Sequence, residues 1–521
     1  MSKNFEITNE NIQGVHLSEL LEQNEKRADE ALKELLKYEP SDGGLADIWL
    51  DDNKDSWRYN TSNGKWYRWI DTHWKEDQRN GIKTSVSDYM KKIYIFAKEK
   101  EISYRDKQEL KKLIERYKFA AKRTNQKLNS IVSLATTKLT IISDDFNNSN
   151  QMNFPRGTFN MDDFTFTEGH DPRDLHDSVL GYDYDPNADC PVFKKYLQDA
   201  IVFEKPEDAD DSYSEWVTDW ESIEMLQQIL GYAFTNDKSI HHLMLWIHGD
   251  GGNGKTVLIE TIMKLFGDLA EPIDINKIGK RNDQQIANVP GKRVLLSNES
   301  EKGGNIHEPT IKQLSDGSTI TYRELYKQNS SFKSQATIIW AMNDRPYIAD
   351  TGNSVWRRLR VIPFNRSFED DPNKDTQLAK KLEAELAGIF NWAMEGLRVS
   401  RELGEIPETE TSKNYKDEYR KDVNPLSQFI GGCCVTSDSL CTPISIIHQT
   451  YTAFCKASNY KPVSIRNFGS ELKKLEQQSP FGLMYGKNNT TCCNILITEQ
   501  SCDEYKFVID PRYTTGEQTD F

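Results

Sequence analysis

His248-Gly249-Asp250-Gly251-Gly252-Asn253-Gly254-Lys255-Thr256 is the stretch on which the reading of this chain turns. It has the form GxxxxGKT. The apolar run Leu243-Met244-Leu245-Trp246-Ile247 before it has the length of a buried strand. After it, Leu258, Ile262, Leu265 and Phe266 fall on one face of a helix that stops near Gly267. Strand, glycine loop and helix together read as a nucleotide phosphate site. Gly249, Asp250, Gly251, Gly252, Asn253 and Gly254 would wrap backbone N–H groups around phosphates at a helix N-terminus. Lys255 would reach the β- and γ-phosphates, and the Thr256 hydroxyl would hold Mg²⁺. A glycine turn that merely joins strand to helix is the alternative.

The 521 residues suggest about three domains. Net charge is −15, yet charge is segregated: Lys91–Lys127 holds 13 Lys/Arg against 5 Asp/Glu, and Glu204–Glu221 is rich in acids. Local patches decide partners, so the net value does not exclude nucleic acid. No apolar run approaches the length of a membrane span and no signal peptide stands out, so no membrane role and a cytoplasmic location are expected. Seven of eight cysteines lie between Cys433 and Cys502 without CxxC spacing. Reduced thiols in a small domain are expected, with a zinc site on Cys441, His448 and Cys455 as the alternative.

An amphipathic helix is expected over Leu17–Leu36. Trp49, Trp57, Tyr59, Trp66, Tyr67, Trp69 and Trp74 follow, with Asn63-Gly64 as a hairpin signal. They read as a small β core, and stacking on bases is the rival use. The basic segment reads as two helices, with Tyr94, Ile95 and Phe96 on the first and Leu110, Leu113, Ile114 and Tyr117 on the second. Its charge suits either a solvated face or a collar on a nucleic-acid backbone. Residues 144–176 are polar and loop-rich; helices are expected from Val192 and around Ile223–Leu230.

Beyond the glycine loop, Arg293-Val294-Leu295-Leu296-Ser297-Asn298-Glu299 is a second apolar strand ending in acid. Glu299 is the candidate to hold Mg²⁺ and polarise the attacking water, with Glu301 in reserve. Thr337-Ile338-Ile339-Trp340-Ala341-Met342 is a third strand, and Asn343 at its end would sense the γ-phosphate. Arg357 and Arg358 precede a closing strand, Leu359-Arg360-Val361-Ile362-Pro363, and either suits an arginine finger reaching across a subunit boundary.

This compact order resembles the superfamily 3 helicases, in particular the helicase part of the phage/plasmid and poxvirus primase–helicase family. The resemblance rests on GDGGNGKT, GKRVLLSNESE, DGSTITYRELYK (residues 316–327), AMNDRP and VWRRLRVIPF. It extends from the Trp57–Trp74 segment to Gly388-Ile389-Phe390-Asn391-Trp392-Ala393. It implies an α/β fold with an AAA+-like P-loop NTPase core that binds ATP and Mg²⁺ at subunit interfaces of a homo-oligomer, usually a hexamer. It implies 3′→5′ translocation on single-stranded DNA and work at forked DNA. A pore hairpin would lie between Arg323 and Lys333, with Arg323, Tyr326, Lys327 and Lys333 gripping the strand. Only about forty residues precede the aromatic segment, so priming is not expected here and a separate primase or initiator is the implied partner.

The expected division is an α+β N-terminal domain over 1–145, a connection over 146–222, the ATPase over 223–405, a small winged-helix-like domain over 424–502 and a tail over 503–521. Helices are expected around Leu378–Leu386 and Ile389–Leu403, a charged linker over 404–425, and a disordered end after residue 503. In the small domain, Arg466, Lys473, Lys474 and Lys487 would face duplex DNA, or the domain would bind a protein instead; its hairpin is expected to turn at Gly486–Asn489. The expectation is an ATP-dependent replicative DNA helicase. Its rivals are an initiator or loader that uses ATP as a switch, and a packaging or defence NTPase.

Overall fold

The computed structural model describes residues 28–103, 108–204, 216–279, 284–298, 307–323, 329–346, 348, 354–372, 374–423, 425–437, 441–458, 460, 462–478, 485–488 and 490–515. The chain begins with α1 (Ala28–Leu35) and α2 (Asp42–Asn53), the latter capped by the Ser41 hydroxyl, which accepts from Gly44 N at 3.2 Å. Strands β1 (Trp57–Asn60), β2 (Lys65–Trp69) and β3 (Trp74–Glu76) form a meander. The expected hairpin signal is met: Gly64 sits at φ +72°, a conformation glycine adopts freely. Helices α3 (Gly81–Ser103), α4 (Gln108–Ala120) and α5 (Asn125–Thr136) follow, then β4 (Thr140–Ile141), parallel to β1. Of the tryptophans, Trp49, Trp57 and Trp74 are buried core, while Trp66 and Trp69 are half-buried. The basic segment forms the two expected helices, with Tyr94, Ile95 and Phe96 on α3 and Leu110, Leu113, Ile114 and Tyr117 on α4, and its last residues enter a third helix, α5. On α3, Ile93, Phe96 and Ala97 are buried, whereas Tyr94 and Ile95 lie exposed. Of the expected Leu17–Leu36 helix, only the part from residue 28 lies among the described residues.

The polar stretch 144–176 is more ordered than its composition suggests. It contains an antiparallel sheet of β5 (Gln151–Phe154), β6 (Gly157–Asn160) and β7 (Thr165–Glu168). Phe154 and Phe159 point from it into the core, each about 5 Å from the Phe390 ring. A few alternating aromatics suffice to bury one face of a short sheet, which an average over the window conceals. Helix α6 (Pro191–Ala200), the short pair β8 (Val202–Glu204) and β9 (Trp216–Thr218), and α7 (Trp220–Phe234) lead to the central sheet.

That sheet contains β10 (Met244–His248), then after α8 (Lys255–Phe266) the strands β11 (Ala270–Pro272) and β12 (Val294–Asn298). Helix α9 (Glu308–Ser315) and an antiparallel hairpin, β13 (Thr319–Arg323) with β14 (Asn329–Lys333), precede its last strands, β15 (Thr337–Met342) and β16 (Leu359–Pro363). The spatial order is β11-β12-β15-β10-β16, every pairing parallel. Both faces are covered, as parallel sheets require. Leu245, Ile247, Leu296, Ile339, Ala341 and Ile362 enter one core with α7 and α8. Met244, Trp246, Leu295, Ile338, Trp340 and Val361 enter the other.

Helices α10 (Leu378–Ala384), α11 (Leu386–Leu403) and α12 (Glu410–Val423) close the unit. The expected linker over 404–425 is in fact mostly α12. Its charged surface hides an i, i+4 pair, Tyr415 and Tyr419, of which Tyr419 packs against Trp246 and Trp356 and Tyr415 against the His248 ring. Ser412 Oγ accepts from Val361 N at 3.0 Å, tying α12 to β16.

Helices α13 (Pro425–Cys433), α14 (Ile444–Ala457) and α15 (Ile465–Gln478), strands β17 (Cys434–Thr436), β18 (Thr442–Pro443), β19 (Tyr485–Asn488), β20 (Thr490–Cys493) and β21 (Ile495–Ile497), and helix α16 (Glu499–Tyr505) make a separate small core. Helix, helix, hairpin is the expected order. The hairpin turns between Asn488 and Thr490, so Gly486 and Lys487 are in the strand. Cys441 and Cys492 form a disulfide, which corrects the expectation of thiols throughout. His448 Nε2 pairs with Val463 O at 2.8 Å and Cys455 is buried, so the three residues make no zinc site; among the described residues no metal-holding cluster occurs. Residues 503–515 are ordered by Thr515 N donating to Ile497 O at 3.2 Å, not disordered as expected. No helix among the described residues is long and apolar enough to cross a membrane.

One buried charge joins the N-terminal part to the central sheet. Arg293, fully buried before β12, donates to Gln335 Oε1 at 3.0 Å and to the carbonyls of Asn147 at 2.5 Å and Ser149 at 2.9 Å. Burial pushes its guanidinium down to about 9, opposed by Asp177. Arg293→Ala would leave these acceptors without a donor, and is expected to cost about 2–4 kcal/mol. A thermal melt equal to that of the parent would show that this seam does not stabilise the fold.

Candidate functional site

Strand β10 is flanked on both sides, and its last residue, His248, stands in register with Met342 of β15 and Pro363 of β16. The chain leaves the sheet there between two neighbours. Gly249 N donates to Met342 O at 3.2 Å, and Phe364 N donates to His248 O at 2.7 Å. A Cβ on Gly249 would lie 2.4 Å from Phe364 O, so only glycine fits. Gly252 and Gly254 adopt φ +68° and +90°, the left-handed region. The loop is pinned from outside by Phe368 N on Gly252 O at 2.9 Å and by the Tyr196 hydroxyl on Gly254 O at 3.0 Å.

Lys255, the first residue of α8, is buried. Its Nζ donates to Gly249 O at 2.6 Å and to Asn253 Oδ1 at 2.8 Å, while Asn253 Nδ2 donates to Phe364 O at 2.9 Å. The ammonium is therefore held by neutral oxygens, and no ion pair satisfies it among the described residues. Burial lowers its pKa, with Asp250 opposing. A cation so placed at a helix N-terminus, beside open backbone N–H groups, has the chemistry of an anion site. Asp250, Gly251, Gly252 and Thr256 are exposed around it, leaving access from solvent.

Asn343 is brought to the same edge. It is exposed one residue beyond β15, and its backbone accepts a hydrogen bond from the His248 ring. Burial and then Arg345 hold the His248 imidazole below its ordinary pKa. The Arg345 guanidinium lies 4.5 Å over the Tyr415 ring and donates to its hydroxyl at 3.0 Å. Glu299, following the end of β12, lies outside the described residues, as does Glu301.

The two arginines are separated by their surroundings. Arg358 is buried and makes a two-pronged pair with Asp316, Nε to Oδ1 at 2.8 Å and Nη2 to Oδ2 at 2.6 Å; its Nη1 also donates to Ser354 O. Arg357 is exposed, in no ion pair among the described residues. Of the expected hairpin, the two strands are present and Lys333 is exposed. Tyr326, Lys327 and the side chain of Arg323 lie outside the described residues. The hairpin also meets the N-terminal part: Lys333 N donates to Asp144 Oδ2 at 3.2 Å and Ser330 Oγ to Ser62 O at 3.2 Å.

Sequence reasoning missed Tyr196, Arg345, Asp316 and Tyr415 as parts of this edge. Tyr196 and Tyr415 come from helices far along the chain, and no local pattern announces such neighbours. Arg345 and Asp316 stand inside the AMNDRP and DGSTITYRELYK motifs; a charged residue two positions beyond the Asn343 strand end was the available signal for Arg345.

Comparison with known proteins matches residues 46–202 to "D5 N terminal like", residues 247–358 to a family of unknown function (DUF5906), and residues 421–511 to "Poxvirus D5 protein-like". The chain is 28% identical over 339 residues to "Putative helicase L207/L206" of Acanthamoeba polyphaga mimivirus, covering 60% of this chain and 33% of that protein. It is 24% identical over 307 residues to "Putative helicase 184R" of Invertebrate iridescent virus 6, covering 53% and 30%. It is 23% identical over 234 residues to "Primase D5" of Fowlpox virus, covering 43% and 28%. The chain thus spans a third or less of the length of these relatives. A solved structure, the NrS-1 C-terminal region, aligns over 88% of this chain and all of that one at 12% identity and a TM-score of 0.45, a likeness too weak to bear on function. D5-type segments on both sides of the central sheet, and similarity to proteins named helicase and primase in large DNA viruses, support a place for the chain in the D5-like primase–helicase family.

Proposed function

We propose that this chain is an ATP-dependent DNA helicase that works as a ring of identical subunits on single-stranded DNA. The observation that carries the reading is Lys255, a buried ammonium aimed into a glycine loop and held, among the described residues, by neutral oxygens. Triphosphate would exchange those weak acceptors for charged ones. The residues present fit ATP with Mg²⁺: the loop from Gly249 to Gly254 offers N–H groups, and Thr256 opens to solvent at the helix start. Mg²⁺ would be held by Thr256 and Glu299, and would supply neutralisation of phosphate charge.

The chain's own residues divide the remaining work. Lys255 stabilises charge on the transferring phosphoryl group, and Glu299 orients water for attack. Asn343, joined to the loop through the His248 ring, reports the state of the γ-phosphate to β15. Helix α9 and the β13–β14 hairpin lie next to β15 in sequence, and Arg323, Tyr326, Lys327 and Lys333 would grip the strand. Arg357 is the arginine favoured as finger for a neighbouring subunit, because Arg358 is already neutralised by Asp316. An arginine at a subunit boundary is worth about three to five orders of magnitude in turnover where it acts in trans.

Lys255→Ala is expected to abolish hydrolysis while leaving the fold intact; normal turnover would sink the site. In mixed rings with Glu299→Gln subunits, Arg357→Ala should lower ATPase at an unchanged melting temperature. Arg358→Ala should instead lower the melting temperature, by the loss of a buried pair worth about 3–5 kcal/mol when broken. Arg357→Ala rings with full activity would reject the finger. Strand displacement on a forked substrate tests unwinding itself, and ATPase without displacement would favour an initiator or loader.

A further inference from the structure

Helix α4 carries a surface that neither the fold nor the nucleotide loop uses. Ile114, Tyr117 and Ala120 form its buried face, and the Tyr117 hydroxyl donates to Leu35 O at 2.7 Å. Beside that face, Lys112, Glu115, Arg116 and Phe119 make a stripe at i, i+3, i+4 and i+7, lining with Pro40 a shallow hollow of about 430 Å³. Phe119 is 70% exposed, although a phenylalanine on a helix is ordinarily placed to be buried.

Its setting is cationic. From Lys111 to Lys127 there are seven Lys/Arg and one acid, in a protein of net charge −15. Lys112, Arg116, Lys122 and Arg123 are all exposed, and none is in an ion pair among the described residues. Lys127 is fixed in place by donating to Phe119 O at 2.9 Å and Ala120 O at 3.0 Å, the last carbonyls of α4. Its Nζ then stands 4.6 Å over the Phe119 ring. One face of the ring is covered by a pinned cation, and the ring still has most of its surface in water.

We infer that this surface is a docking site for single-stranded nucleic acid, with a base stacked on the free face of Phe119 and its phosphates on Lys112, Arg116, Lys122 and Arg123. A lone aromatic ringed by cations suits this occupant. A membrane or an apolar helix would need a contiguous apolar patch, and a duplex keeps its base faces stacked and out of reach. An acidic peptide would satisfy the charges but would leave the ring unused. The site lies outside the glycine loop and the β13–β14 hairpin, so it adds a hold on the strand that does not depend on hydrolysis.

The test uses the full chain in the Lys255→Ala background, a short oligo(dT) carrying 5-iodouracil, and photo-cross-linking with peptide mapping beside anisotropy titrations. A cross-link at Phe119 is expected. Phe119→Ala should remove it and weaken binding roughly tenfold, while Phe119→Tyr retains both. Lys112→Glu with Arg116→Glu should flatten the dependence of log affinity on log salt by about 0.7 for each phosphate that is no longer neutralised. Cross-links confined to other segments, or an unchanged affinity for Phe119→Ala, would overturn the proposal. So would a polyglutamate peptide that displaces the oligonucleotide equally from parent and Phe119→Ala. Because every protein in the test lacks the loop lysine, a failure here leaves the nucleotide reading standing. Residual hydrolysis in that background would sink the nucleotide reading without touching this one.

Discussion

Strand β10 is hydrogen-bonded along both edges and buried on both faces, and the rest of the site depends on that confinement. A strand so held cannot shift its register without moving two partners and two cores. Its end, His248, is therefore a fixed point. The backbone must turn sharply between Met342 and Phe364, which is why Gly249 has no room for a Cβ and why two further glycines take left-handed conformations. Lys255 is delivered to one place by this geometry, and its buried ammonium follows from the loop closing over it.

Charge placement then separates residues that look alike in one dimension. Arg357 and Arg358 are neighbours with the same side chain. A short helical turn sends Arg358 inward to Asp316 and Arg357 out to solvent, so one is committed to a buried pair and the other is exposed. The same logic governs Arg293 and Lys238, both fully or almost fully buried and both committed to backbone carbonyls. Such groups stabilise by satisfying acceptors, and a count of basic residues cannot distinguish them from those that face nucleic acid.

The N-terminal part and the sheet share one seam of polar interactions, from Asn147 and Ser149 on Arg293 to Asp144 on the backbone of Lys333. The hairpin is thus in touch with the N-terminal part, and leads through Ser334-Gln335-Ala336 into β15. Helix α12 makes a comparable link on the opposite side, where Tyr415 holds Arg345 beside the loop and the chain passes on to the C-terminal unit.

The local pattern of residues determined the strand–loop–helix around Lys255, the apolar strands ending at Asn298, Met342 and Pro363, the hairpin at Gly64, and the helix–helix–hairpin order near the end. Each is set by interactions within a few residues: periodicity, a glycine that alone tolerates its φ, or a run too apolar to lie in water. Tertiary structure alone decided the order β11-β12-β15-β10-β16, because pairing partners lie up to about a hundred residues apart. It decided that α12 is a helix and not a linker, through Tyr419 packed against Trp246 and Trp356 and Tyr415 packed against His248 and Arg345. It also joined Cys441 to Cys492, and buried Arg358 while leaving Arg357 exposed. The loop at Gly249–Thr256 was legible because its chemistry is local; which charges remain free to act on it was not, because freedom depends on every distant group that could have paired with them.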